Sequence, residues 1–180
     1  MIRPLPALLA VLALAACRLQ RAPAGNPGGG YAVEPDSVAS AEVSAALRDY
    51  YAALSSRDWR RLGAHFLPNA TITDLVTTAR DTVPRPRTIA IEEFVAQAGR
   101  ARAMGFLDEP MHASVVTYGP LADAWVTYRA RIRVRRDSTL TRLGIDAFHL
   151  LKVGGRWRIT GLAFQNELPG RPIASGPAAH

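Results

Sequence analysis

The 180-residue sequence has a single cysteine, Cys17, and a single lysine, Lys152. One thiol has no partner, so an intrachain disulfide is excluded. The histidines His65, His112 and His149 show no metal-ligand spacing, and no metal or other cofactor is expected. There is no Gly-rich phosphate loop at a strand-to-helix junction and no Gly-x-Ser-x-Gly nucleophile elbow. Basic residues are not interleaved with aromatics as single-stranded nucleic acid would require, so nucleic acid is not an expected partner. The apolar run Leu5 to Ala16 is too short to span a bilayer comfortably. Arginine carries nearly all the positive charge, a skew of the kind a GC-rich genome produces.

What is present begins with an address. Residues 1–17 combine one charge at Arg3, the apolar run and small residues at its end, which is the pattern of a secretory signal. Leu14-Ala15-Ala16-Cys17 resembles the bacterial lipobox. The resemblance implies cleavage before Cys17, lipidation of Cys17 and an anchor in the membrane. Ordinary signal-peptidase cleavage near the same alanines, leaving a free Cys17, is the alternative. Two or more acyl chains anchor a protein stably where one does not. Arg18, rather than Asp, follows the cysteine, which by the rules of such signals implies an outer membrane, with the protein facing the periplasm. Loss of the leader removes Arg3 and leaves 21 basic against 15 acidic residues, a net of +6. Outside the cytoplasm, the partner that such a charge suggests is a membrane surface. Residues 18–36 are rich in Pro, Gly and Ala and read as a flexible tether.

The folded domain is expected over 37–168, followed by a loose tail at 169–180. Asp36 or Ser37 can cap a first helix whose apolar positions are Val43, Ala46, Leu47, Tyr50, Tyr51 and Leu54. Ser55-Ser56 ends it. Asp58 can cap a short second helix with Trp59, Leu62 and Phe66 on one face, closed by Pro68 and Asn69. Residues 70–75 read as a strand and 77–87 as a loop or a short irregular hairpin. Thr88 can cap a third helix carried by Ile91, Phe94, Val95 and Ala98. Met111 to Tyr118 reads as a strand, and Ala124 to Arg135 alternates cleanly, with Ala124, Val126, Tyr128, Ala130, Ile132 and Val134 on one side. The other side bears a row of arginines, either a solvated face or a site for lipid phosphate.

The stretch from Thr141 to Phe164 holds two apolar, β-branched and aromatic runs around Gly154-Gly155, a hairpin signal. Its first run puts Gly144, Asp146, Phe148, Leu150 and Lys152 on one face and Ile145, Ala147, His149, Leu151 and Val153 on the other. Both faces are largely apolar, so the strand is expected to be covered on both sides, with His149 a satisfied core histidine. A carboxylate amid such neighbours is costly, so Asp146 must be partnered or protonated.

The element order resembles the nuclear transport factor 2-like (SnoaL-like) superfamily over about Val43 to Asn166. The resemblance is carried by Asp49-Tyr50-Tyr51-Ala52-Ala53-Leu54 with Asp58, by Ala70-Thr71-Ile72-Thr73-Asp74, and by Ile145-Asp146-Ala147-Phe148. It implies an α+β fold: a cone-shaped, curved antiparallel sheet wrapped around three N-terminal helices, enclosing a pocket. Within the superfamily the nearest mechanism is that of ketosteroid isomerase. The resemblance then implies three catalytic residues: Asp74 as general base, with Tyr50 and a protonated Asp146 as hydrogen-bond donors to an enolate oxygen. Ala147 departs from the histidine often found at that position. Read from the residues alone, Tyr50 also fits a core position, and Asp74 fits a strand cap or an arginine partner. Two functions follow as expectations. One is a pocket for a small apolar molecule in a membrane-anchored protein, as a homodimer through the outer sheet face. The other is cofactor-free acid–base catalysis by Tyr50, Asp74 and Asp146.

Overall fold

The structure is a computed structural model that describes residues 36–78, 81–100, 106–135, 138–168 and 170–173. Cys17, the leader and most of the expected tether lie outside these residues. The described residues belong to one compact unit within Val33–His180. Its elements are α1 (Ser37–Ser56), α2 (Trp59–Gly63), β1 (Phe66–Thr78), β2 (Asp81–Ala90), α3 (Ile91–Arg100), β3 (Phe106–Tyr118), β4 (Leu121–Arg135), β5 (Ser138–Val153) and β6 (Arg156–Asn166). No helix among the described residues is long and apolar enough to cross a membrane.

The helices start where short polar side chains satisfy backbone donors. Asp36 accepts from the Ala39 N–H at 2.9 Å to open α1, and Asp58 accepts from the Arg61 N–H at 3.0 Å to open α2. Arg57, in the left-handed region at φ 60°, closes α1. The helix buries Val43, Leu47, Tyr50, Tyr51, Ala53 and Leu54, most of the face its spacing predicts. That face lies in the hollow of a curved six-stranded sheet of order β2-β1-β6-β5-β4-β3. Ala122, Ala124, Val126, Tyr128 and Ala130 of β4, with Phe148 and Leu150 of β5, complete the core.

Several expectations are corrected. The sheet is mixed, because β1 pairs β6 in parallel. Of 77–87, residues 77–78 and 81–87 lie in the paired strands β1 and β2, which is the hairpin of the two alternatives, and it is long. Phe66 opens β1 instead of extending α2, and Asn69 at φ 63° breaks the register there. Thr88 lies in β2 opposite Thr73, so it does not cap α3. Residues 106–110 extend the expected 111–118 strand. Pro84 and Pro86 in β2 and Pro110 in β3 lie in the strands at the two sheet edges, where a missing N–H is tolerated, and Pro68 lies in β1 between Phe66 and Thr71, where the β1–β6 register shifts.

The outer face is the largest correction. In β5 only Gly144, Asp146, Phe148 and Leu150 are buried; Ile145, Ala147 and Leu151 are half-buried and His149 and Val153 exposed. Among the described residues no helix covers this side, and His149 is therefore a surface residue paired with Asp123 at 2.5 Å. The arginine row also lies here; Arg129 and Arg131 share Glu109 at 3.6 and 3.4 Å.

Candidate functional site

The hollow of the sheet contains polar groups that its apolar lining does not require. Asp146 points inward from β5, between Val126 of β4 and Phe164 of β6. It is 6 % exposed. The Tyr51 hydroxyl donates to its Oδ2 at 2.5 Å. Burial disfavours the ionised form and pushes the Asp146 carboxyl up to about 7; the Tyr51 bond opposes that rise, and the charge of Asp108 adds to it. Burial, with the Asp146 charge behind it, also drives the Tyr51 hydroxyl upward. The pair is therefore a protonated phenol bonded to a carboxyl that changes charge near neutral pH.

Asp146 is thus on the inner face, and the tyrosine that bonds it is Tyr51 rather than Tyr50, the residue that the resemblance pointed to as a donor beside it. Tyr50 packs edge-on against Tyr51, His65, Phe66 and Phe148, with centroids 5.1 to 6.3 Å apart, and serves as the aromatic centre of the core. Successive residues on a helix point about 100° apart; in α1 it is the Tyr51 hydroxyl that reaches Asp146, while the Tyr50 ring packs on Phe148.

Asp74 shares the inner face, since it lies beside Phe164, which in turn lies beside Asp146. Its carboxylate is held by the Arg87 guanidinium in a two-pronged pair, Nε to Oδ1 at 2.9 Å and Nη2 to Oδ2 at 2.6 Å. The structure accordingly places Asp74 in an ion pair with Arg87 of the edge strand β2 and does not bring it into hydrogen-bond contact with Asp146 or Tyr50.

Three further residues complete the site. Asp108 lies on the inner face of β3 opposite Ala130, and its N–H bonds the Ser55 hydroxyl at 3.1 Å. Burial pushes its carboxyl up to about 6. Tyr128 lies across Gly144, and its hydroxyl donates to Asn166 Oδ1 at 3.2 Å on β6. A Cβ at Gly144 would overlap the Tyr128 ring, so this close crossing requires glycine. Irregularities in the strands aim both Asp108 and Asn166. Met111 is an extra residue between the Pro110↔Tyr128 and His112↔Thr127 pairs, and Thr160 between Ile159↔Leu150 and Gly161↔His149. Each bulge reverses the alternation beyond it. Extending the alternation of β3 back from Thr117 would have put Glu109 inside, and Asp108 carries no signal in the sequence that would find it.

No protein-family model matches the chain, and no curated protein does. Solved structures do. A proposed scytalone dehydratase from Novosphingobium aromaticivorans superposes with a TM-score of 0.60 at 14% identity, covering 79% of this chain and 95% of that one. The β subunit of a proposed aromatic-ring-hydroxylating dioxygenase from the same organism gives 0.61 at 15%, covering 77% and 94%. A nuclear transport factor 2-like protein of unknown function from Pseudomonas putida gives 0.58 at 12%, covering 81% and 100%. At such identities the likeness is one of fold: the described chain has the nuclear transport factor 2-like α+β fold.

Proposed function

We propose that this domain binds a small, largely apolar molecule in the hollow of its sheet, through an oxygen on that molecule that hydrogen-bonds Asp146. The observation that supports it most is the Asp146–Tyr51 pair. A carboxyl buried among Phe148, Val126 and Phe164, with one phenol as its hydrogen-bond partner among the described residues, costs folding energy that a core alone would not retain. A neutral Asp146 donates to a ligand carbonyl or hydroxyl, while Tyr51 holds the carboxyl in place. In this reading the domain is carried outside the cytoplasm by the leader and tethered to a membrane through lipidated Cys17, and it acts as a homodimer. The test is binding of 2-naphthol by the full chain, followed by fluorescence. Asp146→Ala should weaken it by roughly twofold to tenfold, as loss of a neutral hydrogen bond worth about 0.5–1.5 kcal/mol requires. Equal affinity in the variant would remove Asp146 from the site.

Acid–base catalysis is the second reading, and one observation favours it: Asp108 and Asp146 are two carboxyls of unequal environment on one inner face. One would ionise first and accept a proton while the other donates, the division of labour such chemistry needs. Asp108, rather than the arginine-bound Asp74, is then the base. Deuterium exchange beside the carbonyl of cyclohexanone, catalysed by the protein and abolished by Asp108→Asn, would support it. Exchange at the uncatalysed rate would dismiss it for ketones of this size.

A further inference from the structure

A cavity of about 500 Å³ opens between α1, the α2–β1 junction and the start of β6. It exists because β1 joins β6 only at the Phe66↔Ile159 pair, where the Ile159 N–H bonds the His65 carbonyl at 2.8 Å. Before that point β6 has no β1 partner, and Arg156, Trp157 and Arg158 line the gap. Ala45 and Ala46 of α1 and Ala64 supply small apolar side chains opposite them.

The charges around this cavity do not cancel. Its two carboxylates are engaged. Glu42 accepts from Lys152 Nζ at 2.6 Å and Trp157 Nε1 at 3.0 Å. Asp49 is bound by the Arg61 guanidinium and lies 3.2 Å from His65 Nε2. Among the described residues, Arg156 and Arg158 have no carboxylate in salt-bridge contact. Arg158 also acts on His65: burial holds the imidazole below its ordinary pKa, and the Arg61 and Arg158 charges push the same way against Asp49. The other neighbour of that ring is Tyr50, edge-on at 6.3 Å.

We propose that this cavity binds a small organic anion, its charged group between Arg156, Arg158 and His65 and its short apolar body against Ala45, Ala46 and Ala64. Guanidinium forks suit oxyanions, and the volume is that of a metabolite-sized site. The bound anion faces His65, so anion binding and imidazole protonation favour each other.

The probes are butyrate, inorganic phosphate and butanol, added to the full chain while NMR follows the His65 ring and the Trp157 indole N–H. Butyrate should give saturable shifts at both residues and raise the His65 titration midpoint. An Arg156→Ala/Arg158→Ala double variant should bind it at least tenfold more weakly. Arg156 is exposed and Arg158 half-buried, and neither belongs to the core, so the variant keeps it; unchanged core methyl signals verify that. Asp146→Asn should leave the binding intact, which separates this cavity from the interior site. Absence of saturable shifts with butyrate and phosphate, equal affinity in the double variant, or butanol binding as tightly as butyrate would each overturn the proposal. Phosphate binding as tightly as butyrate would overturn the role given to the alanines.

Discussion

At Asp146 burial and a hydrogen bond pull in opposite directions, and burial wins. The folded carboxyl titrates at about 7, against roughly 3.9 for an exposed one. The folded state therefore holds a proton that the unfolded chain gives up between about pH 4 and 7. The contribution of this group to stability is complete below about pH 4 and is lost as pH rises to about 7. Three pKa units correspond to about 4 kcal/mol. Asp146→Asn, which keeps the shape and removes the charge, should match the parent in thermal unfolding at pH 4 and exceed it at pH 8. Equal pH dependence in both proteins would show that Asp146 is solvated. The tyrosines should separate as well. Tyr51→Phe removes the one hydrogen bond that stabilises the ionised carboxyl, so it should raise the Asp146 pKa further and cost about 1–3 kcal/mol at pH 8. Tyr50→Phe keeps the aromatic packing and should leave the Asp146 titration in place; chemical denaturation and the carboxyl titration check both. Asp146 was legible in the sequence because β5 runs without a bulge from Gly144 to His149, so simple alternation locates its face. The choice between Tyr50 and Tyr51 was not: both lie on the buried side of α1, and which hydroxyl meets Asp146 depends on how the helix is rotated in the hollow.

Among the elements, the bulges decide what the hollow contains. Met111 in β3 turns Asp108 inward, and Thr160 in β6 turns Asn166 inward to meet Tyr128. Residues of this kind are hidden from periodicity, because a bulge carries no strong local signature and inverts every position after it. The same limit explains the β1–β2 hairpin. Its second strand holds Pro84, Pro86 and several charges, so the sequence leaves loop and short irregular hairpin both open, yet as an edge strand it tolerates them. Helix caps fared better: Asp36 and Asp58 begin α1 and α2 as their chemistry dictates. At the crossing of Tyr128 over Gly144, a methyl group would overlap the ring. Gly144→Ala should displace Tyr128, break its bond to Asn166 and cost about 1–3 kcal/mol. Adding Tyr128→Ala should relieve the clash, so the double variant should lose less than the sum of the two single changes. Additive losses in a double-mutant cycle would show that the ring does not press on Gly144.

For the whole molecule, the uncovered side of the sheet matters most. Val116, Tyr118, Leu121 and Trp125 are 56%, 72%, 47% and 61% exposed, and they lie together on the outer face of β3 and β4. The apolar alternation of β5 suggested that both its faces are covered. The described residues cover only the inner face, and a second copy packed on the outer face would supply the rest. An apolar cluster rimmed by the Asp123–His149 and Glu109–Arg129 pairs has the composition of an interface. Trp125→Glu should convert a dimer to a monomer in sedimentation velocity without lowering the unfolding temperature of the monomer. A monomeric parent protein would exclude this arrangement.

The most direct test of the central proposal is a carbon-13 NMR titration of the Asp146 carboxyl in the full chain, assigned by its loss in Asp146→Asn, with and without 2-naphthol. The account predicts a midpoint near 7 in the unliganded protein and a shift of both the signal and its midpoint when the ligand binds. A midpoint near 4, unmoved by ligand, would contradict it.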